Sequence, residues 1–161
     1  MNSKTKPDAM ETALRYLEHR ARTTKEIRDR LADAGYEAEE IRSCLERLTD
    51  LHYIDDGEYA LAYLRRHLEK RRGRLRYFRE LAERGISRET AQAAIYEYED
   101  EENVDLSEVE HKNALQEAAR ILDGRAWTDK EKARAGRRLA SLGYDTSQIY
   151  GVLGELQRNT L

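Results

Sequence analysis

Three stretches, Leu31-Ala-Asp-Ala-Gly35-Tyr36, Leu81-Ala-Glu-Arg-Gly85-Ile86 and Leu139-Ala-Ser-Leu-Gly143-Tyr144, share one pattern: Leu-x-x-x-Gly followed by an apolar residue. The pattern reads as a helix end. Leucine lies in the last turn, glycine takes the left-handed C′ position, and the next apolar residue packs back on the turn. A polar residue then opens a new helix (Glu37, Ser87, Asp145), and apolar residues follow six, ten and thirteen positions after each glycine. These are Ile41, Leu45 and Leu48; Ala91, Ile95 and Tyr98; Ile149, Leu153 and Leu156. The spacing sets each trio on one helical face.

Working outward, the helix before each anchor also has a recurring start. Thr23-Thr-Lys-Glu26 and Thr128-Asp-Lys-Glu131 have the form of capping boxes, as does Asp145 with Gln148. Gly73 stands before Leu81 as Thr23 stands before Leu31, and glycine is an acceptable N-cap. A further helix precedes each pair, over 9–20, 57–72 and 108–122, with Asp55 or Asp56 capping the second and Ser107 with Glu110 the third. The expected fold is all-α: three tandem three-helix, helix-turn-helix-like repeats at 9–54, 55–99 and 107–158. A flexible N-terminus (1–8) and an acidic linker (100–106) complete the chain. A unit of this size cannot bury a sufficient core alone, so the repeats should stack into an elongated, curved array.

Composition agrees. Of 161 residues, 39% are hydrophobic and 38% charged, which suits thin helical layers with much exposed surface. The one proline is Pro7 and the one cysteine is Cys44, so later helices are unbroken and no internal disulfide is possible. No apolar run is long enough to span a membrane, and no secretory signal is visible. A cytoplasmic monomer is expected. Catalytic, metal and cofactor sites are not: His19, His52, His67 and His111 lack metal-ligand spacing, and no phosphate loop or nucleophile motif appears.

Charge is polarised although the net is only −3. Residues 65–88 carry ten Lys/Arg against three Glu, whereas 97–110 carry eight acids and no base. The basic run suits contact with phosphates or an acidic groove, and amides at the helix start near Gly73 could add an anion site. Its alternative is a solvated helix end, which fits Lys70, Arg71 and Arg72 but not Arg74, Arg76 and Arg79 at a helix start. The acidic segment reads as a solvated linker, or else as a strip that folds over the basic run. Tyr36, Tyr53, Tyr59, Tyr63, Tyr77, Phe78 and Tyr144 fall at core or turn positions, so packing is favoured over base stacking. Trp127 should staple the turn before Thr128, and Cys44 should be buried.

The middle of the chain resembles the RecX family of recombination regulators. Tyr53-Ile54-Asp55-Asp56, Tyr59-Ala60, the basic run, and Gly73, Arg76, Glu80-Leu81, Arg84-Gly85-Ile86 carry the likeness, with His52 where glycine often precedes the tyrosine. Ala13-Leu14, Leu17, Arg20, Thr23, Glu26 and Leu31 extend it into the first unit. The resemblance implies three tandem three-helix units and a regulator of homologous recombination and the SOS response. Such a protein binds RecA–DNA filaments and inhibits RecA strand exchange and ATP hydrolysis, and some members also bind single- or double-stranded DNA. Arg71, Arg72, Arg74 and Arg76 are the expected contact centre, flanked by Arg65, Arg66, Lys70 and Arg79, with Arg20, Arg22, Lys25 and Arg28 supporting. The alternative is a helix-turn-helix-like DNA-binding regulator that acts independently of RecA.

Overall fold

A computed structural model describes residues 5–160, and the described residues form nine α-helices and no strand. The first unit comprises α1 (Ala9–His19), α2 (Thr24–Asp33) and α3 (Ala38–Asp50). The second comprises α4 (Asp56–Glu69), α5 (Arg74–Glu83) and α6 (Arg88–Glu102), and the third α7 (Leu106–Leu122), α8 (Asp129–Leu142) and α9 (Thr146–Thr160).

The anchor glycines do what the pattern requires. Gly35, Gly85 and Gly143 have φ of +85°, +80° and +102°. The amides of Tyr36, Ile86 and Tyr144 donate back to the carbonyls of Leu31, Leu81 and Leu139 at 3.2, 2.9 and 3.2 Å. These bonds satisfy carbonyls that a helix end would otherwise leave unpaired. At the helix starts, Thr23 Oγ1 accepts from the Glu26 amide at 3.2 Å and Asp145 Oδ1 from the Gln148 amide at 2.8 Å.

Each unit has its own hydrophobic core. Ala13, Ile27, Leu31 and Leu48 centre the first; Ala60, Leu64, Tyr77, Leu81 and Ile95 the second; Ala118, Leu139 and Val152 the third. Total accessible surface is 10407 Å², about a quarter above the roughly 8,300 Å² of a compact globule of this mass. An array of small cores leaves that excess.

Four expectations need adjustment. Residues 100–102 of the expected acidic linker are the last turn of α6, and Leu106 is fully buried in the second core, so only 103–105 connect the units. Asp105, not Ser107, caps α7, its side chain accepting from the Ser107 amide at 2.7 Å. The carboxylate of Glu110 turns away from the helix start to another unit. Of the expected flexible N-terminus, residues 1–4 lie outside the described residues, while Lys6 lies over the Tyr36 ring at 4.0 Å and the Tyr36 hydroxyl donates to the Pro7 carbonyl. On α9 only Val152 is buried; Ile149, Leu153 and Leu156 are partly buried, so the third unit closes least tightly.

Candidate functional site

The units join through one recurring contact: the start of the second helix of a unit sits on the turn before the third helix of the next. Between units one and two, Thr23 Oγ1 donates to the Arg84 carbonyl at 2.7 Å, and the Lys25 stem lies against Gly85. Asp56, on α4, accepts from the Thr24 amide at 2.9 Å. Between units two and three, the Gly73 amide donates to the Leu142 carbonyl at 2.8 Å and the Leu75 amide to the Gly143 carbonyl at 3.1 Å. Tyr144 adds a hydroxyl bond to the Arg71 carbonyl at 2.7 Å.

Two buried acids on α7 complete the second junction. Glu110 is 1% exposed and receives the Arg74 amide at 2.9 Å, the Arg74 side chain at 3.1 Å and Gln148 Nε2 at 2.7 Å. Glu117 pairs with Arg120 on its own helix and with Arg71 at 3.6 Å. The hydrogen bond from Arg120 and the nearby Arg71 hold its carboxyl below the usual range despite burial. The amides near Gly73 therefore serve the third unit: a carboxylate and two carbonyls already occupy the anion position expected there.

These contacts divide the twelve expected binding residues. Arg20 pairs with Glu26, Lys25 with Asp29, Arg65 with Glu101 and Glu102, Arg71 with Glu117, Arg74 with Glu110 and Arg76 with Glu80. Three of the four expected centre residues, Arg71, Arg74 and Arg76, thus hold the protein to itself. The acidic segment does fold over the basic run: Glu101 and Glu102 reach Arg65 on α4, and Glu110 reaches Arg74 on α5. Among the described residues, Arg22, Arg28, Arg66, Lys70, Arg72 and Arg79 stand in no ion pair, although Arg22 stacks on Tyr16 at 3.8 Å.

Two adjoining grooves hold four of these six, Arg22, Arg66, Lys70 and Arg72. Arg20 and Arg22 of the first unit meet Arg65 and Arg66 of the second, with half-exposed Tyr53, around a groove of about 460 Å³. Arg66 also borders a second groove of about 480 Å³ between α4 and α5, with Lys70, Arg72 and Arg84. Arg79 lies exposed on α5 and Arg28 lines a separate groove between α2 and α3.

Under the second groove lies a polar network that the sequence reading passed over. His67 is 2% exposed on the stripe formed with Ala60 and Leu64. Its Nε2 has no hydrogen-bond partner; the nearest acceptor, Glu80 Oε2, is 3.6 Å away. Burial, opposed by Glu80 and reinforced by Arg72, Arg76 and Lys70, brings the imidazole down to about 4. Burial alone would raise the Glu80 carboxyl, but hydrogen bonds from Tyr63 and Arg76 outweigh it and hold it at about 2. Histidine in the apolar stripe of α4, three residues past Leu64, was the available signal. For Glu110 and Glu117 it was their register with Ala114 and Ala118.

No group of metal-ligating side chains of useful size occurs among the described residues, and none of their helices is long and apolar enough to cross a membrane.

Comparison with known proteins agrees with this architecture. Residues 9–48 match the first three-helix domain of RecX and residues 55–95 the second, together half of the chain. The regulatory protein RecX of Chromohalobacter salexigens is 29% identical over 148 residues, covering 92% of both chains. That of Lacticaseibacillus paracasei is 45% identical over 60 residues, 37% of this chain and 25% of its own. The chain thus spans a quarter of that relative, and 39% of the Listeria monocytogenes protein. The crystal structure of RecX from Lactobacillus salivarius superposes with a TM-score of 0.78 at 22% identity, covering 92% of this chain and 94% of that one. These relatives carry the name of regulatory proteins, not of enzymes. The shared three-helix units and the matched domains place this chain in the RecX family.

Proposed function

We propose that this protein binds RecA–DNA filaments and restrains RecA strand exchange and ATP hydrolysis, as a regulator of recombination, repair and the SOS response. The observation that carries this reading is the grouping of Arg20, Arg22, Arg65 and Arg66 around one groove and Lys70 and Arg72 around the next. Of these, Arg22, Arg66, Lys70 and Arg72 stand in no ion pair among the described residues, and free guanidinium and ammonium groups suit the phosphates of a filament or acidic side chains lining it. Separate units on one chain add effective concentration along a repeating lattice. The centre moves from Arg71, Arg74 and Arg76, which are held internally, to Arg66, Lys70 and Arg72.

A recognition-helix reading without RecA has less support. The third helices carry exposed acids, Glu39, Glu40 and Glu46 on α3 and Glu97, Asp100 and Glu101 on α6, where a DNA groove would repel them. The test is ATP hydrolysis by RecA on single-stranded DNA. Wild type should slow it at stoichiometric levels, and Arg66→Ala/Lys70→Ala/Arg72→Ala should do so much less. An unchanged rate with wild type refutes the proposal. Sequence-specific binding to duplex DNA without RecA would favour the alternative.

A further inference from the structure

The groove between α4 and α5 has the attributes of a built anion site rather than of a merely basic surface. Its rim holds four cations, Arg66, Lys70, Arg72 and Arg84, and two acids, Glu80 and Glu83. Glu80 is already matched by Arg76, whose Nε lies 2.7 Å from it. The four rim cations are in no ion pair among the described residues; Arg84 instead stacks over Tyr63 at 4.9 Å. The carbonyl end of α4, which would repel an anion, is neutralised. The His67 carbonyl accepts the Arg72 amide at 2.9 Å, and the Leu68 carbonyl accepts the Arg71 amide at 3.0 Å and Asn113 Nδ2 at 3.3 Å.

At the base of the groove is the unsatisfied ring nitrogen of His67. A buried polar atom without a partner is costly, so its persistence calls for a ligand. Tyr63 covers one side of the imidazole, with ring centroids 5.0 Å apart, and Tyr77 meets it edge-on at 6.2 Å. The ring orientation is thereby fixed.

We infer that this groove binds a phosphate group, with His67 Nε2–H donating to one oxygen and Arg66, Lys70, Arg72 and Arg84 surrounding the others. Phosphate is favoured over a carboxylate because four cations converge from the ends of two helices and the turn between them, and the oxygens of a tetrahedral phosphate group can meet more of them at once than those of a planar carboxylate. The site stands on its own geometry; its use on a nucleic-acid backbone rests on the function proposed above. Binding would also restore charge to His67. The anion would join Glu80 and Glu83 of α5 in favouring the imidazolium against Arg66 of α4, Lys70 and Arg72 of the turn, Arg76 of α5 and Arg84 at its C-terminal cap.

The test is NMR of the His67 ring in the whole chain, titrated with inorganic phosphate and pyrophosphate at constant ionic strength, with chloride as reference. The expected result is a saturable shift absent with chloride, an imidazole pKa raised by at least one unit in phosphate, and affinity about tenfold weaker in Lys70→Ala/Arg72→Ala. Oligo-dT titrated against the same signals separates the sources. Displacement of phosphate by oligo-dT supports a phosphodiester ligand, and saturation by phosphate alone supports the same site for a free phosphate. No saturable response, an equal response to chloride, or a response to oligo-glutamate only overturns the inference. Inhibition of RecA hydrolysis by a protein whose His67 ignores phosphate refutes this site and leaves the regulator reading standing. The reverse result keeps the site and removes that reading.

Discussion

Replacing Gly73 by alanine tests the junction between units two and three more sharply than any charge reversal. Gly73 has φ −90° and ψ 166°, a conformation alanine adopts freely, so backbone strain plays no part. The obstacle is space. A Cβ at this position would stand 2.4 Å from the Gly143 oxygen, 2.5 Å from its carbonyl carbon and 2.7 Å from the Tyr144 nitrogen. All three are backbone atoms, and ordinary contact begins near 3.4 Å, so the units must part by about 1 Å. That displacement breaks the bonds from the Gly73 and Leu75 amides, each worth about 1 kcal/mol, and stretches those of Arg74 to Glu110. The expected loss is about 2–4 kcal/mol. Gly151, inside α9 with nothing within 4 Å, is the control: Gly151→Ala should gain about 0.5–1 kcal/mol from helix propensity. Urea unfolding by circular dichroism gives the overall loss. Fluorescence of Trp127, the one tryptophan, should report the third unit separately. In Gly73→Ala the two signals should part, as neighbour coupling in a repeat array weakens. Stability within 0.5 kcal/mol of wild type, with coincident signals, would refute this account of the junction.

Other expectations follow from single features. The unfolded state takes up a proton on His67 near 6.5 and the folded state only near 4, so stability is full above about 6.5 and falls as pH drops toward 4. Urea midpoints should show a loss of about 2 kcal/mol between pH 7.5 and pH 5, and His67→Gln should flatten it. Glu80 adds its own loss only below about 4.5. Glu110→Ala leaves Arg74 and its amide without their acceptor at the second junction and should cost about 2–4 kcal/mol in the same urea assay. His52 holds φ +62°, and His52→Gly should raise stability by about 1 kcal/mol, read as a higher urea midpoint.

Much of the fold was legible because it rests on local rules. Leu31, Leu81 and Leu139 are fully buried, and the glycines four residues on are all left-handed. Both facts depend on contacts within a few turns of chain. The third unit was less legible: Ile149, Leu153 and Leu156 have the right spacing but are only partly buried, and Val152, the counterpart of Cys44 and Ala94, takes the centre. The site was legible in composition but not in pairing. Arg74 reads as a free cation until α7 brings Glu110 to it from 36 residues away. An acid at a core position looks like surface charge unless its partner's place is known. His67 was missed for a related reason: a lone histidine was judged for metal spacing, while its meaning lay in the packing stripe of α4.

The recurring junction joins two unlike faces, a helix start to a turn, so the chain has a direction as a row of arrowheads does. Such a contact cannot mate with itself to close a twofold pair. It can only be extended from an end, and each added unit brings its own core without disturbing those already present. At the leading end the Gly35–Tyr36 turn is covered by Lys6 and Pro7, which act as a stopper there. Among the described residues the second-helix start at Thr128 meets no following turn, so it presents the same kind of face that Thr23 and Gly73 offer at the two junctions.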